Sequence, residues 1–119
     1  PLNRNIYISK VLKLNCRMAL KQRQRKPNKH DRYVLELKDK LKHKYDFISI
    51  NVKIATKKRS LGEIDIIARK GKKIDLYEVK CSHRIMKAKK QLKRMKRLLN
   101  LKKSRSYFYC GSSGSLVSV

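Results

Sequence analysis

Acidic side chains are scarce in this 119-residue chain, so their placement carries information: 8 Asp+Glu stand against 34 Lys+Arg, a formal net charge of +26. Glu63, Asp65, Asp75 and Glu78 all fall within one short stretch, GEIDIIARKGKKIDLYEVKCS. Solubility does not call for acids there, because charge is already in large surplus. Residues two apart on a strand share a face. If 61–69 and 74–81 are strands, Glu63 and Asp65 share one face of the first, and Glu78 and Lys80 share one face of the second. A hairpin between them would bring Asp65 close to Glu78, with Lys80 beside both. Neighbouring carboxylates repel, and a divalent cation removes the repulsion by taking an oxygen from each. Mg²⁺, with Mn²⁺ as its substitute, suits hard oxygen ligands and keeps several waters, one of which could attack a phosphodiester phosphorus.

The surrounding periodicities supply the elements that would position these groups. Asn28 is a good N-cap for a helix over 29–45, in which Val34, Leu37, Leu41 and Tyr45 recur on one face. The period then changes to two, and Phe47, Ile48, Ile50, Val52 and Ile54 suggest a strand, followed by a basic loop at 56–60 (TKKRS). Strands over 61–69 and 74–81 meet through a tight turn at Gly71. Residues 83–101 return to helical period, with Ile85, Ala88, Leu92, Met95 and Leu99 as an apolar stripe and Lys87, Lys90, Lys93, Arg94 and Arg97 on the far side. A short aromatic strand follows at 106–110. The fold class expected is α/β, ordered helix–three strands–helix–strand, with a mixed central sheet flanked by helices. Residues 1–28 read as a basic N-terminal extension or arm, 29–110 as the core domain and 111–119 as a flexible C-terminal tail. Within the arm Ser9 could cap a helix carrying Ile8, Val11, Leu12, Met18 and Ala19, although Leu14 and Leu20 spoil its phase.

Composition narrows the partner. So large a cationic surplus costs self-repulsion in the compact state, and a polyanion relieves it. Thermophilic ion-pair networks raise Lys and Glu together; here the acids are missing. Nucleic acid is the expected partner, well ahead of an anionic membrane surface. Lys57, Lys58 and Arg59 of the basic loop, with Lys87, Lys90, Lys93, Arg94 and Arg97, are the candidate phosphate contacts. Cys16, Cys81 and Cys110 are odd in number and far apart, which supports neither a disulfide framework nor a zinc site. No apolar run approaches the length of a membrane span and no signal-peptide pattern opens the chain, so the expected setting is reducing and intracellular, with no membrane partner.

Asp65, a spacer through the Gly71 turn, and then Glu78-Val79-Lys80 resemble the D…(D/E)-x-K signature of the PD-(D/E)XK nuclease superfamily. The segment GEIDIIARKGKKIDLYEVKCS is also similar to the YraN-like group and to archaeal Holliday junction resolvase-like and repair endonucleases. The resemblance covers about residues 29–110. It implies a restriction-endonuclease-like core, and it departs from the family at Ile64, where a proline often precedes the aspartate. It further implies that Asp65, Glu78 and the Val79 backbone carbonyl ligate Mg²⁺. Lys80 would position the attacking water and stabilise charge building on phosphate. Many members add an acid from the first helix, for which Asp31 has better phase than Glu36. Several relatives place a glutamine near the metal, making Gln91 an accessory candidate, and many structure-specific relatives are homodimers.

The implied activity is metal-dependent endonucleolytic hydrolysis of DNA, structure-selective (junction, flap or single strand) and serving repair or recombination, with RNA left open. Two readings compete. One is a non-catalytic nucleic-acid-binding module on a nuclease-like fold; the other is a structural RNA-binding protein whose acids merely pair with lysines. Glu63 either supports the site or pairs with a nearby lysine. Asp75 lies on the strand face opposite Glu78 and reads as a surface acid. His30 and His43 are expected to face solvent, and His83 to sit at a helix N-terminus. Tyr107, Phe108 and Tyr109 read most simply as sheet core, with base stacking as the alternative.

Overall fold

The computed structural model describes residues 28–119. The expected arm over 1–28, its Ser9-capped helix and Cys16 lie outside the described residues, Asn28 excepted. The described elements are α1 (Lys29–Leu41), β1 (Phe47–Ala55), β2 (Ser60–Lys70), β3 (Lys73–Lys80), α2 (Ile85–Leu98), β4 (Arg105–Cys110) and β5 (Ser115–Ser118). They build an α/β fold around one five-stranded mixed sheet in the order β1-β2-β3-β4-β5, parallel only between β3 and β4. That parallel step needs a crossover, which α2 provides.

Helix α1 begins where the sequence places it. The Asn28 side chain accepts from the Asp31 N–H at 2.8 Å, and the Asp31 carboxylate accepts from the Asn28 N–H at 3.2 Å, a reciprocal capping box. The helix ends at Leu41, a turn before the expected limit, and Tyr45 follows it in the connection to β1. Val34, Leu37 and Leu41 bury against Ile66, Ala68, Tyr77, Val79 and Tyr109 on one sheet face. Leu92, Met95 and Leu99, the last one residue beyond α2, pack on the other face against Val52, Ile54, Ile64, Ile67 and Leu76. The two helices therefore cover opposite faces of the sheet. The β2–β3 hairpin turns through Gly71, whose φ of 59° an L side chain adopts with difficulty.

Residues 111–119, expected to be a flexible tail, are corrected by β5. Ser115–Ser118 pair antiparallel with β4, Gly114 (φ 71°) makes the turn, and the Ser106 hydroxyl donates to the Val119 carbonyl at 2.9 Å. The Gly- and Ser-rich start of this segment masks the short strand that carries Leu116 and Val117, and the open edge of β4 supplies the order. Asp75 is also not a bare surface acid, since the half-buried Tyr45 hydroxyl donates to it at 2.6 Å. Among the described residues no helix is long and apolar enough to cross a membrane.

The sheet forks. β2 pairs with β3 from Lys70↔Lys73 to Ile66↔Tyr77, and there the ladder stops. β3 continues beside β4 through Glu78↔Phe108, Val79↔Tyr109 and Lys80↔Cys110, while the first half of β2 stays with β1. At the same level Asn51 adopts φ 51°, in the left-handed region, and the two strands change face. Ile50 and Ile66 pack on the α1 side, whereas Val52 and Ile64 pack on the α2 side. This twist peels β1 and β2 away from β3 and opens a cleft between them.

Candidate active site

The residue at the fork is Asp65. Its carboxylate oxygen Oδ2 accepts the Val79 N–H at 2.8 Å, taking up a donor that lies beyond the last β2–β3 pair. The side chain thus bridges two strands that no longer bond directly, and it is only 6% exposed. Glu78, 5% exposed, stands on β3 beside it, and Lys80, two residues on, brings its ammonium within 3.1 Å of Glu78 Oε2. All three line a single polar cavity of about 450 Å³, with Gln91 of α2. Strand periodicity therefore placed Glu78 and Lys80 together correctly. Asp65 joins them through the fork rather than through a regular cross-strand pair.

Electrostatics at this point are tense. Burial pushes the Glu78 carboxyl up to about 8, and the neighbouring Asp65 charge adds to the shift, against the pull of Lys80. Glu63 stands at the rim of the same cavity, where partial desolvation and then the Asp65 charge hold its carboxyl above the usual range. Gln91 contributes an Oε1 atom that is buried without a hydrogen-bond partner among the described residues. A buried acceptor left in this condition costs about 1–3 kcal/mol unless a cation, water or ligand meets it.

His30 was expected to face solvent, and the structure corrects that. It sits in the first turn of α1, half-buried, with Nε2 3.0 Å from the Val79 carbonyl and 3.3 Å from Asp65 Oδ2. Both partners only accept, so Nε2 carries the proton. The hydrogen bond to Asp65 raises the imidazole to about 9, against the effect of burial, with the Asp65 charge, the Val79 carbonyl and Glu78 adding smaller contributions. The ring is a cation on the two atoms, Asp65 Oδ2 and Val79 O, that the resemblance assigns to a metal. A sequence signal for it existed: His30 precedes Val34 by four residues and so begins the apolar stripe of α1. Asn28, Asn51 and Lys53 complete the cavity wall; the sequence marked Asn28 only as a helix cap and did not single out the other two.

The remaining candidates divide. Asp31 lines the cavity while serving the capping box, whereas Glu36 lies away from it, accepting from Tyr109 and pairing with Lys40. Lys57, Lys58 and Arg59 are exposed in the β1–β2 loop. Lys87, Lys90, Lys93, Arg94 and Arg97 are exposed along α2, with Arg94 also donating to the Leu61 carbonyl at 2.7 Å. No group of three or more His, Cys, Asp or Glu side chains among the described residues is gathered closely enough to hold a metal ion by itself. Any ion at the fork would therefore lean on the Val79 carbonyl, the Gln91 amide or water.

The chain matches no family model, no curated protein and no solved structure. Two buried carboxylates, an ammonium, an imidazolium and an unpartnered amide oxygen meet at the floor of a cleft in a strongly basic protein.

Proposed function

We propose that this chain is a member of the PD-(D/E)XK superfamily, with a restriction-endonuclease-like core, and that it hydrolyses phosphodiester bonds of nucleic acid, DNA ahead of RNA, with Mg²⁺. The observation that carries the reading is the meeting of Asp65, Glu78 and Lys80 in one polar cleft where the sheet forks. A solvated salt-bridge patch would not leave two carboxylates 6% and 5% exposed, one of them pushed up to about 8.

The donors are all oxygens, as a hard divalent cation requires. Two carboxylates and the buried Gln91 Oε1 line the cleft, and the Val79 carbonyl joins them once His30 Nε2, which lies on that carbonyl and on Asp65 Oδ2, gives way. Asp65, Glu78 and the Val79 carbonyl would hold the ion, with Mn²⁺ as a substitute. When bound, the ion lowers the pKa of a water and offsets charge on the phosphate. The protein side chains do the rest. Lys80 holds a donor beside Glu78, where it can orient an attacking water and stabilise charge building on a phosphate oxygen. In the metal-free cleft His30 keeps Asp65 turned toward the fork and supplies the positive charge there that an ion would replace. The basic loop at Lys57, Lys58 and Arg59, with Lys53 at the cavity wall, would attract the backbone electrostatically. None of these is a base-reading arrangement, which favours selection by nucleic-acid structure over sequence, and a homodimer would present two such clefts.

A second reading has its own observation. His30 on Asp65 and Lys80 on Glu78 already give both carboxyl groups a partner without a metal, as they would in a nucleic-acid-binding module without catalysis. Cleavage of branched, nicked and single-stranded DNA, and of RNA, separates the two. The wild type should cut in Mg²⁺ and not in EDTA, and Asp65→Asn and Glu78→Gln should both lose activity at least a hundredfold. Asn is preferred to Ala at 65 because it can still accept from the Val79 N–H. Undiminished cutting by both variants, or none by the wild type, would sink the nuclease reading.

A further inference from the structure

We propose that two adjoining basic clefts beside α2 form a second polyanion-binding surface, separate from the acidic cleft, which holds a further stretch of nucleic-acid backbone. The inference rests on the nucleic-acid part of the reading above and not on the metal. One cleft, of about 620 Å³, lies between the β2–β3 turn and the α2–β4 connection, where Lys72, Lys73, Lys102, Lys103 and Arg105 converge. The other, of about 460 Å³, is lined by Lys89, Lys93, Lys96 and Arg97 of α2, with Lys102 common to both. The one acidic side chain in either lining, Asp75, is already engaged by the Tyr45 hydroxyl.

Charge is partitioned across the molecule. The acidic cleft takes Asp31, Glu63, Asp65 and Glu78 and shares no residue with the two basic clefts. Helical geometry explains the division. At about 100° per residue, Gln91 falls on one flank of the buried Leu92–Met95 stripe, and Lys89, Lys93 and Lys96 fall on the other. The row from Lys89 to Lys96 rises about 10 Å along the helix, with steps of about 6 and 4.5 Å, a scale commensurate with successive phosphates. Lys102 and Arg105 carry the charge onward to the start of β4, and an Arg there offers the paired donors that phosphate accepts. The α2 carbonyls do not compete, because Asn100, at φ 57°, closes the helix with its N–H on Arg97 O and the Leu101 N–H on Lys96 O.

A lipid surface fits less well. Interfacial binding needs apolar side chains to insert beside the charges. The large exposed hydrophobics among the described residues, Leu35, Met86 and Leu116, belong to neither lining.

The test is fluorescence anisotropy of the full chain with a labelled 30-base-pair duplex, comparing K102A/R105A with the charge-matched control K42A/K44A. All four positions are exposed. K102A/R105A should weaken binding roughly tenfold and reduce the slope of log affinity against log salt by about two, one for each phosphate no longer neutralised. The control should change affinity less than threefold. Equal weakening by both pairs would overturn the proposal in favour of diffuse attraction by net charge, as would no weakening by K102A/R105A. Vesicles containing phosphatidylserine form the second arm. Loss of vesicle adhesion by K102A/R105A, with duplex binding intact, would reassign the surface to lipid and overturn it too. A wild type that binds neither duplex, single strand nor RNA at low salt would instead remove the nucleic-acid reading on which the proposal stands.

Discussion

At the level of single residues, the cleft spends folding stability on an arrangement that chemistry requires. Glu78 is held protonated to about 8, above its ordinary value, so its neutral form is the one folding prefers. A raised folded pKa contributes stability below the unfolded value, and that contribution is lost as pH rises through the folded one. In EDTA, Glu78→Gln should therefore stabilise the chain above about pH 8, by roughly 1–2 kcal/mol after allowance for the Lys80 partner it loses. Added Mg²⁺ should raise the melting temperature of the wild type and not of this variant. His30 obeys the same sign for a different reason: its cation is stabilised by Asp65, and it titrates at about 9. The stability difference between wild type and His30→Gln in EDTA should be greatest below about pH 6.5 and shrink as pH rises through about 9. Urea denaturation across that range measures it, and a difference that grows with pH would contradict the assignment. Glu78 and Lys80 were legible as a pair because two-residue periodicity needs no knowledge of tertiary structure, whereas Asp65 reaches them through the fork, which periodicity does not contain. His30 was not read correctly: its phase puts it on the Val34 stripe, but nothing local says that this stripe begins over Asp65 and the Val79 carbonyl rather than over solvent.

At the level of elements, the fork makes the cleft, and Asn51 is its hinge point in β1. An L residue with a Cβ in the left-handed region costs about 1–2 kcal/mol, less for Asn and least for Gly. Asn51→Val should accordingly destabilise the fold by about 1–2 kcal/mol, while Asn51→Gly should stay within about 0.5 kcal/mol of wild type. Chemical denaturation tests the pair, and equal effects would mean that the backbone there relaxes without strain. The hairpin, the two helices and the aromatic strand were all readable from apolar period and from Gly71, because each buries a regular stripe. The fork was not, because Asn51 and Asp65 sit in unbroken strand-like sequence and their neighbours change face only when β3 is withdrawn. Strand β5 escaped for the complementary reason. Its order comes from the ladder with β4, in which Tyr107↔Ser118 and Tyr109↔Leu116 pair, rather than from its own composition.

At the level of the whole molecule, every acid has an assignment, and 8 Asp+Glu are too few to pair most of the 34 Lys+Arg. Asp31 caps α1, Glu36 and Asp39 pair with Lys40 and Lys42, Asp46 accepts from the Gly71 N–H, and Asp75 binds Tyr45. The others, Glu63, Asp65 and Glu78, belong to the cleft. With a net +26, what remains is mutual repulsion among lysines and arginines. Two consequences of opposite sign follow. Salt screens repulsion between surface charges over a Debye length of about 10 Å at 0.1 M, so it should stabilise the free protein. The same salt competes with phosphate contacts, so log affinity for nucleic acid should fall linearly with log salt. Raising NaCl from about 50 to 500 mM should thus increase the melting temperature of the free chain by several degrees while lowering duplex affinity by orders of magnitude. Thermal melts and anisotropy titrations over one salt series measure both. A chain stabilised chiefly by surface ion pairs would lose melting temperature with salt instead, and that result would show the lysine excess to be internally compensated. If salt raises the melting temperature and nucleic acid raises it further at low salt, the polyanion is replacing the counter-charge that the sequence omits.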